Sequence, residues 1–342
     1  MWDWLFDNIK LFSNVVFSIE LALAVPNLAL NVYFAVRLYR LATINPNLKV
    51  ILVTESLFFG YSTFAHAIAN FIPKESVRYA DGNYVVATIF HTAMWITVVS
   101  HFYFDMKYTL VAIERTIAFK RRATYEMEGG NVGNKLFWIA FLISIVSGVV
   151  RSVFTWRLNA HLELDERLRK VTMMDKYIPG LLLSYNIACV GMFYAIFVFY
   201  RLSKQVSNLH SLSLSESYEM RQIMSVLAWL KRLIKAFFIG VLANLPSINL
   251  ISYLHFNRGY DEDDPLILFI LTVVFTVTDV YCLITTLYMY QEFPQLRNAV
   301  CKDFPCLKIS KPAKVLTTTE RNAMYFDSLR SSWKHPHDSK KL

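Results

Sequence analysis

Glu20, Glu55, His66, His91, His101, Asp105, Lys107 and Asp279 all fall inside long apolar stretches of the chain. An ionisable group in hydrocarbon costs at least ~2.5 kcal/mol, so each of these needs a partner, a wet cavity or a task. At 100° per residue, His91, Met94, Val98, His101, Asp105 and Thr109 share one arc of a helix. That stripe is expected to face inward and line a cavity, unless His101 and Asp105, four residues apart, simply satisfy each other. Asn27, Asn31, Glu55 and Asp279 come to a similar depth, about 9 to 16 Å from the inner boundary by helical rise. Such an inner polar cluster either locks helices together or acts as a protonation or ion switch. His66, His91, His101 and Asp105 also raise the possibility of an intramembrane zinc hydrolase. His91 and His101 lie about 15 Å apart along one helix and cannot share an ion, so no metal site and no cofactor is expected.

These residues must be positioned by membrane-spanning helices. The 342-residue chain is 55% hydrophobic and only 18% charged, too apolar for an ordinary soluble domain. Seven stretches reach the roughly 20 apolar residues that a spanning helix needs: Leu11 to Val36, Lys49 to Ile72, Tyr84 to Arg115, Lys135 to Phe154, Tyr177 to Tyr200, Leu233 to Phe256 and Leu266 to Tyr290. The expected fold is an all-α membrane protein, a seven-transmembrane helix bundle. Span three is longer than a bilayer requires and should tilt or project. Its parts are a short extracellular amino terminus (1–10), the seven-span domain (11–290) and a cytoplasmic tail (291–342) that begins with a membrane-surface helix. Span one reads as a retained signal anchor, because no small-residue cleavage site follows it.

Lys and Arg set the orientation. With the amino terminus outside, the inner segments hold Arg37, Arg40 and Lys49, then Lys120, Arg121, Arg122 and Lys135, then six more before span six and a strongly basic tail. The outer segments hold far fewer, which places the carboxyl terminus in the cytoplasm. The net charge of +9 is therefore a topology signal, and the scattered basic residues do not form a nucleic-acid face. Cys189 and Cys282 lie within spans, and Cys301 and Cys306 lie just past the last one, so no disulfide braces the outer loops. Cys301 and Cys306 follow Phe293, Leu296 and Val300 and are candidate palmitoylation sites on an inner-leaflet helix.

The outer connection from Thr155 to Lys176 has mixed charge and is expected to form a helical lid. Before span six, Met220, Ile223, Met224 and Leu227 recur at helical period, and Ser213 and Glu216 have capping-box spacing. This segment reads as an amphipathic cytoplasmic extension of span six. Pro246 removes a helix hydrogen bond in that span and offers a hinge.

The run ERTIAFKRRATYE, Glu114 to Glu126, resembles the span-three exit of nematode serpentine chemoreceptors, where an ER pair is followed by A and then YE. NPNLKVIL, Asn45 to Leu52, is similar to that family's start of span two, with Asn45-Pro46 where Phe-His is usual. SLSESYEMRQ, Ser213 to Gln222, resembles its stretch before span six. The motifs point to the alpha superfamily and favour class epsilon over the related alpha, alpha-beta and beta classes. The resemblance implies a non-enzymatic, G-protein-coupled chemosensory receptor in the plasma membrane of a sensory neuron, at its cilium. Its implied partners are a small-molecule ligand, a heterotrimeric G protein and the bilayer. It also implies that Glu114 holds Arg115 in the inactive state, with Lys120, Arg121, Arg122, Arg221, Lys231 and Arg232 at the coupling face. Aromatic and polar residues in the outer and middle parts of the spans suggest His91, Trp95, Tyr185, Asn249 and Tyr253 as pocket lining. A transporter or channel is the alternative, although there is no internal repeat of the transporter kind.

Overall fold

A computed structural model describes residues 8–41, 44–122, 124–125, 129–173, 178–207, 214–260 and 264–305. Among these residues there are ten α-helices and no strand: α1 (Ile9–Arg40), α2 (Pro46–Ala69), α3 (Tyr84–Asp105), α4 (Lys107–Lys120), α5 (Asn131–Leu158), α6 (Leu164–Thr172), α7 (Ile178–Ser207), α8 (Leu214–Arg258), α9 (Pro265–Glu292) and α10 (Pro294–Asp303). A 3-10 turn, Lys74–Val77, precedes α3. Residues 1–297 form one compact unit and 298–342 a second, of which only the end of α10 and the two residues after it are described.

Six helices are long and apolar enough to cross a membrane by length and composition, namely α1, α2, α3, α5, α7 and α9. The stretch expected as span six is the second half of α8, which runs unbroken for 45 residues from the cytoplasmic extension to Arg258 and contains Pro246. Met220, Ile223 and Leu227 of that extension are buried, while Met224 is half exposed. Span three departs from expectation. It is two helices, α3 and α4, joined at Met106, whose N–H bonds Tyr103 O three residues back. This tightened turn lies where α7 closes on span three through Gly191, on which a Cβ would stand 2.9 Å from Thr109 Oγ1.

Local chemistry starts the helices. Asn45 accepts a hydrogen bond from Asn47 N with Pro46 in the first turn, and Asp264 does the same for Leu266 N with Pro265 behind it. Asn47 then reaches α5, accepting from Gly133 N at 2.9 Å. The buried residues of α5 are Gly133, Ala140, Ser144 and Gly148, whereas Trp138, Ile139, Leu142, Val146, Val150 and Phe154 are exposed. Without a hydrophobic drive between helices in lipid, small residues let backbones approach, and the large apolar side chains face the acyl chains. α9 packs against α1 and α8, and α1 against α2, which closes the bundle.

Candidate functional site

Spans three, five, six and seven enclose a cavity of about 140 Å³. α3 contributes His101, Phe104 and Asp105, and α7 contributes Ser184 and Tyr185. α8 adds Phe237, Gly240 and Asn244, and α9 adds Phe275, Thr278 and Tyr281. Gly240 bears no side chain opposite Tyr281, which keeps the space open. Ser184 Oγ donates to Asp105 Oδ2, and Tyr185 OH donates to Val241 O at 3.4 Å. The ring of His101 stacks on Phe275, with centroids 6.3 Å apart. Two polar groups on the wall, Asn244 Oδ1 and Tyr281 OH, are buried without a hydrogen-bond partner among the described residues. An orphaned buried group costs about 1–3 kcal/mol, so both favour something that fills the cavity and pairs with them.

Above it lies the lid. Asp165, near the start of α6, accepts hydrogen bonds from Tyr79 N and Ala80 N, both at 2.9 Å. His91 Nδ1 contacts Thr172 Oγ1 at 2.9 Å and His91 Nε2 contacts Val77 O at 3.3 Å, while Tyr79 stacks on the imidazole. Arg167 lies 3.9 Å over the Trp156 ring and donates to Trp156 O. The Asp165 carboxyl is held below its ordinary range. Desolvation pushes it upward, but the Ala80 and Tyr79 N–H groups, with Arg78 and His91, together outweigh that.

At the inner end, Arg115 and Glu114 are both fully buried. Arg115 Nε and Nη2 donate to the two Glu114 oxygens, and Tyr125 OH donates to Glu114 Oε1 at 2.7 Å. The ER and YE ends of the span-three motif therefore close on each other. Arg122 Nε pairs with Glu216 Oε1 at 3.0 Å, tying the exit of span three to the start of α8. Arg232 bonds Gln291 at 2.6 Å and Glu292 at 2.5 Å, tying α8 to the end of α9.

A family model for the serpentine type 7TM GPCR receptor class ab chemoreceptor matches residues 85–334. The chain belongs to this family. It is thus a multi-pass membrane chemoreceptor of the G-protein-coupled type, a class without enzymatic activity. The matching class is ab, not the epsilon favoured from the motifs. No curated protein matches the chain.

Of the receptor's five expected pocket residues, only Tyr185 lines the cavity. His91 is buried beneath the lid, Trp95 bonds Ser152 Oγ on α5, and Asn249 and Tyr253 are exposed on α8. The stripe on span three divides in the same way: His101 and Asp105 reach the cavity, while Met94 and Val98 pack in the core. Span arithmetic gives depth but not rotation about the helix axis, and rotation is what separates these faces. Asn244, Ser184 and Tyr281 were not anticipated. A search for neutral polar groups inside the spans, rather than ionisable ones alone, would have found them.

In the inner cluster Asn27 Nδ2 donates to the backbone O of Asp279 at 3.1 Å, Asn31 Nδ2 to Asn27 O, and Thr286 Oγ1 to Asn31 Oδ1. Glu55 shares a small internal space with Asn31, Lys107 and Trp229 instead, and neither of its oxygens has a partner among the described residues. Of the coupling-face residues, Lys120, Arg121 and Lys231 are exposed, and the side chain of Arg221 lies outside the described residues. Among the described residues no three His, Cys, Asp or Glu side chains come together as a metal site. Cys301 lies on α10 and forms no disulfide, and Cys306 lies outside the described residues.

Proposed function

We propose that this receptor holds a small-molecule cue in the cavity between spans three, five, six and seven and passes its occupancy to a heterotrimeric G protein at the cytoplasmic face. One observation carries the reading. α8 is a single helix that lines the cavity through Phe237, Gly240 and Asn244 and is tethered to the span-three exit by Glu216 and Arg122. The distance between Glu216 and Asn244 is about 42 Å along the axis, so a tilt of α8 in response to ligand displaces the tethered end. Pro246, two residues from Asn244, is the hinge in this scheme. The ligand shifts the balance only through different affinities for the two packings.

In this reading the amino terminus faces outward and the tail is cytoplasmic, as the distribution of Lys and Arg supports. Lys120, Arg121, Arg122, Arg221, Lys231 and Arg232 form the coupling surface, with Glu114 and Arg115 as the switch behind it. Asn27 and Asn31 act as a lock between spans one and seven, since both bond backbone carbonyls that do not titrate. Lipidation of Cys301 and Cys306 anchors the tail helix, and the cell surface is the plasma membrane of a sensory neuron, at its cilium. Guanine-nucleotide exchange on a panel of Gα subunits, with receptor in nanodiscs challenged by small-molecule extracts, tests the proposal. Extract-dependent exchange on at least one subunit is expected. Its absence with every subunit, from folded and correctly oriented protein, overturns the coupling role.

A further inference from the structure

The wall of the cavity specifies what it will accept, and the following deepens the receptor reading and rests on it. About 140 Å³ is close to the ~150 Å³ apolar cavity that takes up benzene, so the occupant is a compact molecule of one ring or its aliphatic equivalent. Most of the wall is apolar, with Phe104, Phe237 and Phe275 among its surfaces. No Lys or Arg lines it, so an anion entering there would lose its hydration without a counter-charge. Its only carboxyl group, Asp105, is already engaged by Ser184. The open hydrogen-bonding positions are neutral. Asn244, 7% exposed, presents Oδ1 as an acceptor, and Tyr281 presents an OH that gives or accepts.

We infer that the receptor's ligand is a neutral, compact, mostly apolar molecule bearing one hydroxyl group, which donates to Asn244 Oδ1 while its oxygen accepts from Tyr281 OH. The shape of the cavity selects the apolar body and the two orphaned groups select the hydroxyl. An isostere that lacks the hydroxyl leaves both wall groups unpaired, a loss of about tenfold or more in affinity.

Purified full-length receptor in nanodiscs provides the test, with thermal unfolding read against ligand concentration and no G protein present. The probes are benzyl alcohol and its methyl isostere ethylbenzene, with benzylamine and benzoate as charged counterparts. Partition into lipid is subtracted with the variant Gly240→Leu, which fills the cavity. Benzyl alcohol is expected to bind about tenfold more tightly than ethylbenzene and more tightly than either charged probe. Asn244→Leu is expected to erase that preference and also to raise the melting temperature of the ligand-free protein, because an orphaned polar atom is removed. Tyr281→Phe, which preserves shape and serves should Asn244→Leu fold poorly, is expected to shrink the preference severalfold. Equal binding of benzyl alcohol and ethylbenzene, tightest binding of benzylamine or benzoate, or no cavity-dependent binding at all overturns the inference. Because the readout omits the G protein, hydroxyl-selective binding without nucleotide exchange would sink the coupling role and leave the ligand class standing. Exchange without hydroxyl selectivity would do the reverse.

Discussion

Glu114 and Arg115 are sequence neighbours, and neighbours on a helix point about 100° apart, so their pairing requires the long Arg side chain to fold back. Both are fully buried, and Tyr125 completes the set. Arg115→Ala therefore strands a buried carboxylate and is expected to cost about 3–5 kcal/mol, read as a fall in folded yield. Glu114→Gln combined with Arg115→Met restores much of that yield, and nucleotide exchange on this paired variant reports the switch role free of misfolding. If Arg115→Ala purifies and melts as the parent does, the buried pair is not structural. Asp165 makes a different prediction. Its carboxyl is depressed in the folded protein, so the stability it lends the lid is complete above the unfolded value of about 3.9 and disappears as pH falls through the lower folded value. Hydrogen-exchange protection at the Tyr79 and Ala80 amides, corrected for intrinsic rate, is expected to stay level from about pH 5 to 8 and to drop only in stronger acid. A transition centred near neutrality would assign the latch to another group.

The helices meet through small residues, and the tightest approach is at Gly133 of α5. A Cβ there would stand 2.3 Å from Asn47 O and 2.7 Å from Asn47 Cα, both backbone atoms that cannot rotate aside. Gly133→Ala is expected to destabilise by about 2–3 kcal/mol despite the better helix propensity of alanine. At Gly240 the nearest atoms to an added Cβ, on Tyr281, are 3.6 Å away, so Gly240→Ala is expected to unfold at or slightly above the parent temperature. Equal melting shifts for the two variants would contradict the packing described. Much at this scale is legible in the sequence. The span lengths, the caps at Asn45 and Asp264, the helix in the outer lid and the helical character of the segment before span six all follow from local rules. The division of span three at Met106 does not, because it depends on α7 pressing at Gly191.

Across the whole molecule, the tether between Arg122 and Glu216 links the two motifs at the cytoplasmic face. Both side chains are partly exposed, so the pair is worth about 0.5–1 kcal/mol after screening by solvent. If it holds α8 against span three in the resting state, Glu216→Gln is expected to raise ligand-independent nucleotide exchange about two- to fivefold with little change in melting temperature. Unchanged basal exchange would leave the pair as a surface contact without influence on the balance of states.

Composition, run length and charge asymmetry were enough to indicate a helical membrane protein, its family resemblance and the sides of the bilayer, because the cost of unpaired backbone in lipid admits few alternatives. They were not enough to choose which side of each helix faces inward. In a soluble helix the polar face marks the exterior, whereas here both the lipid and the bundle interior are apolar, so Trp138 and Val150 on the outside look in sequence much like Met94 and Val98 within. Tertiary packing made that choice. It rotated Trp95 onto α5 and His91 beneath the lid, and it brought Asn244 and Tyr281, more than thirty residues apart in sequence, to opposite walls of one cavity.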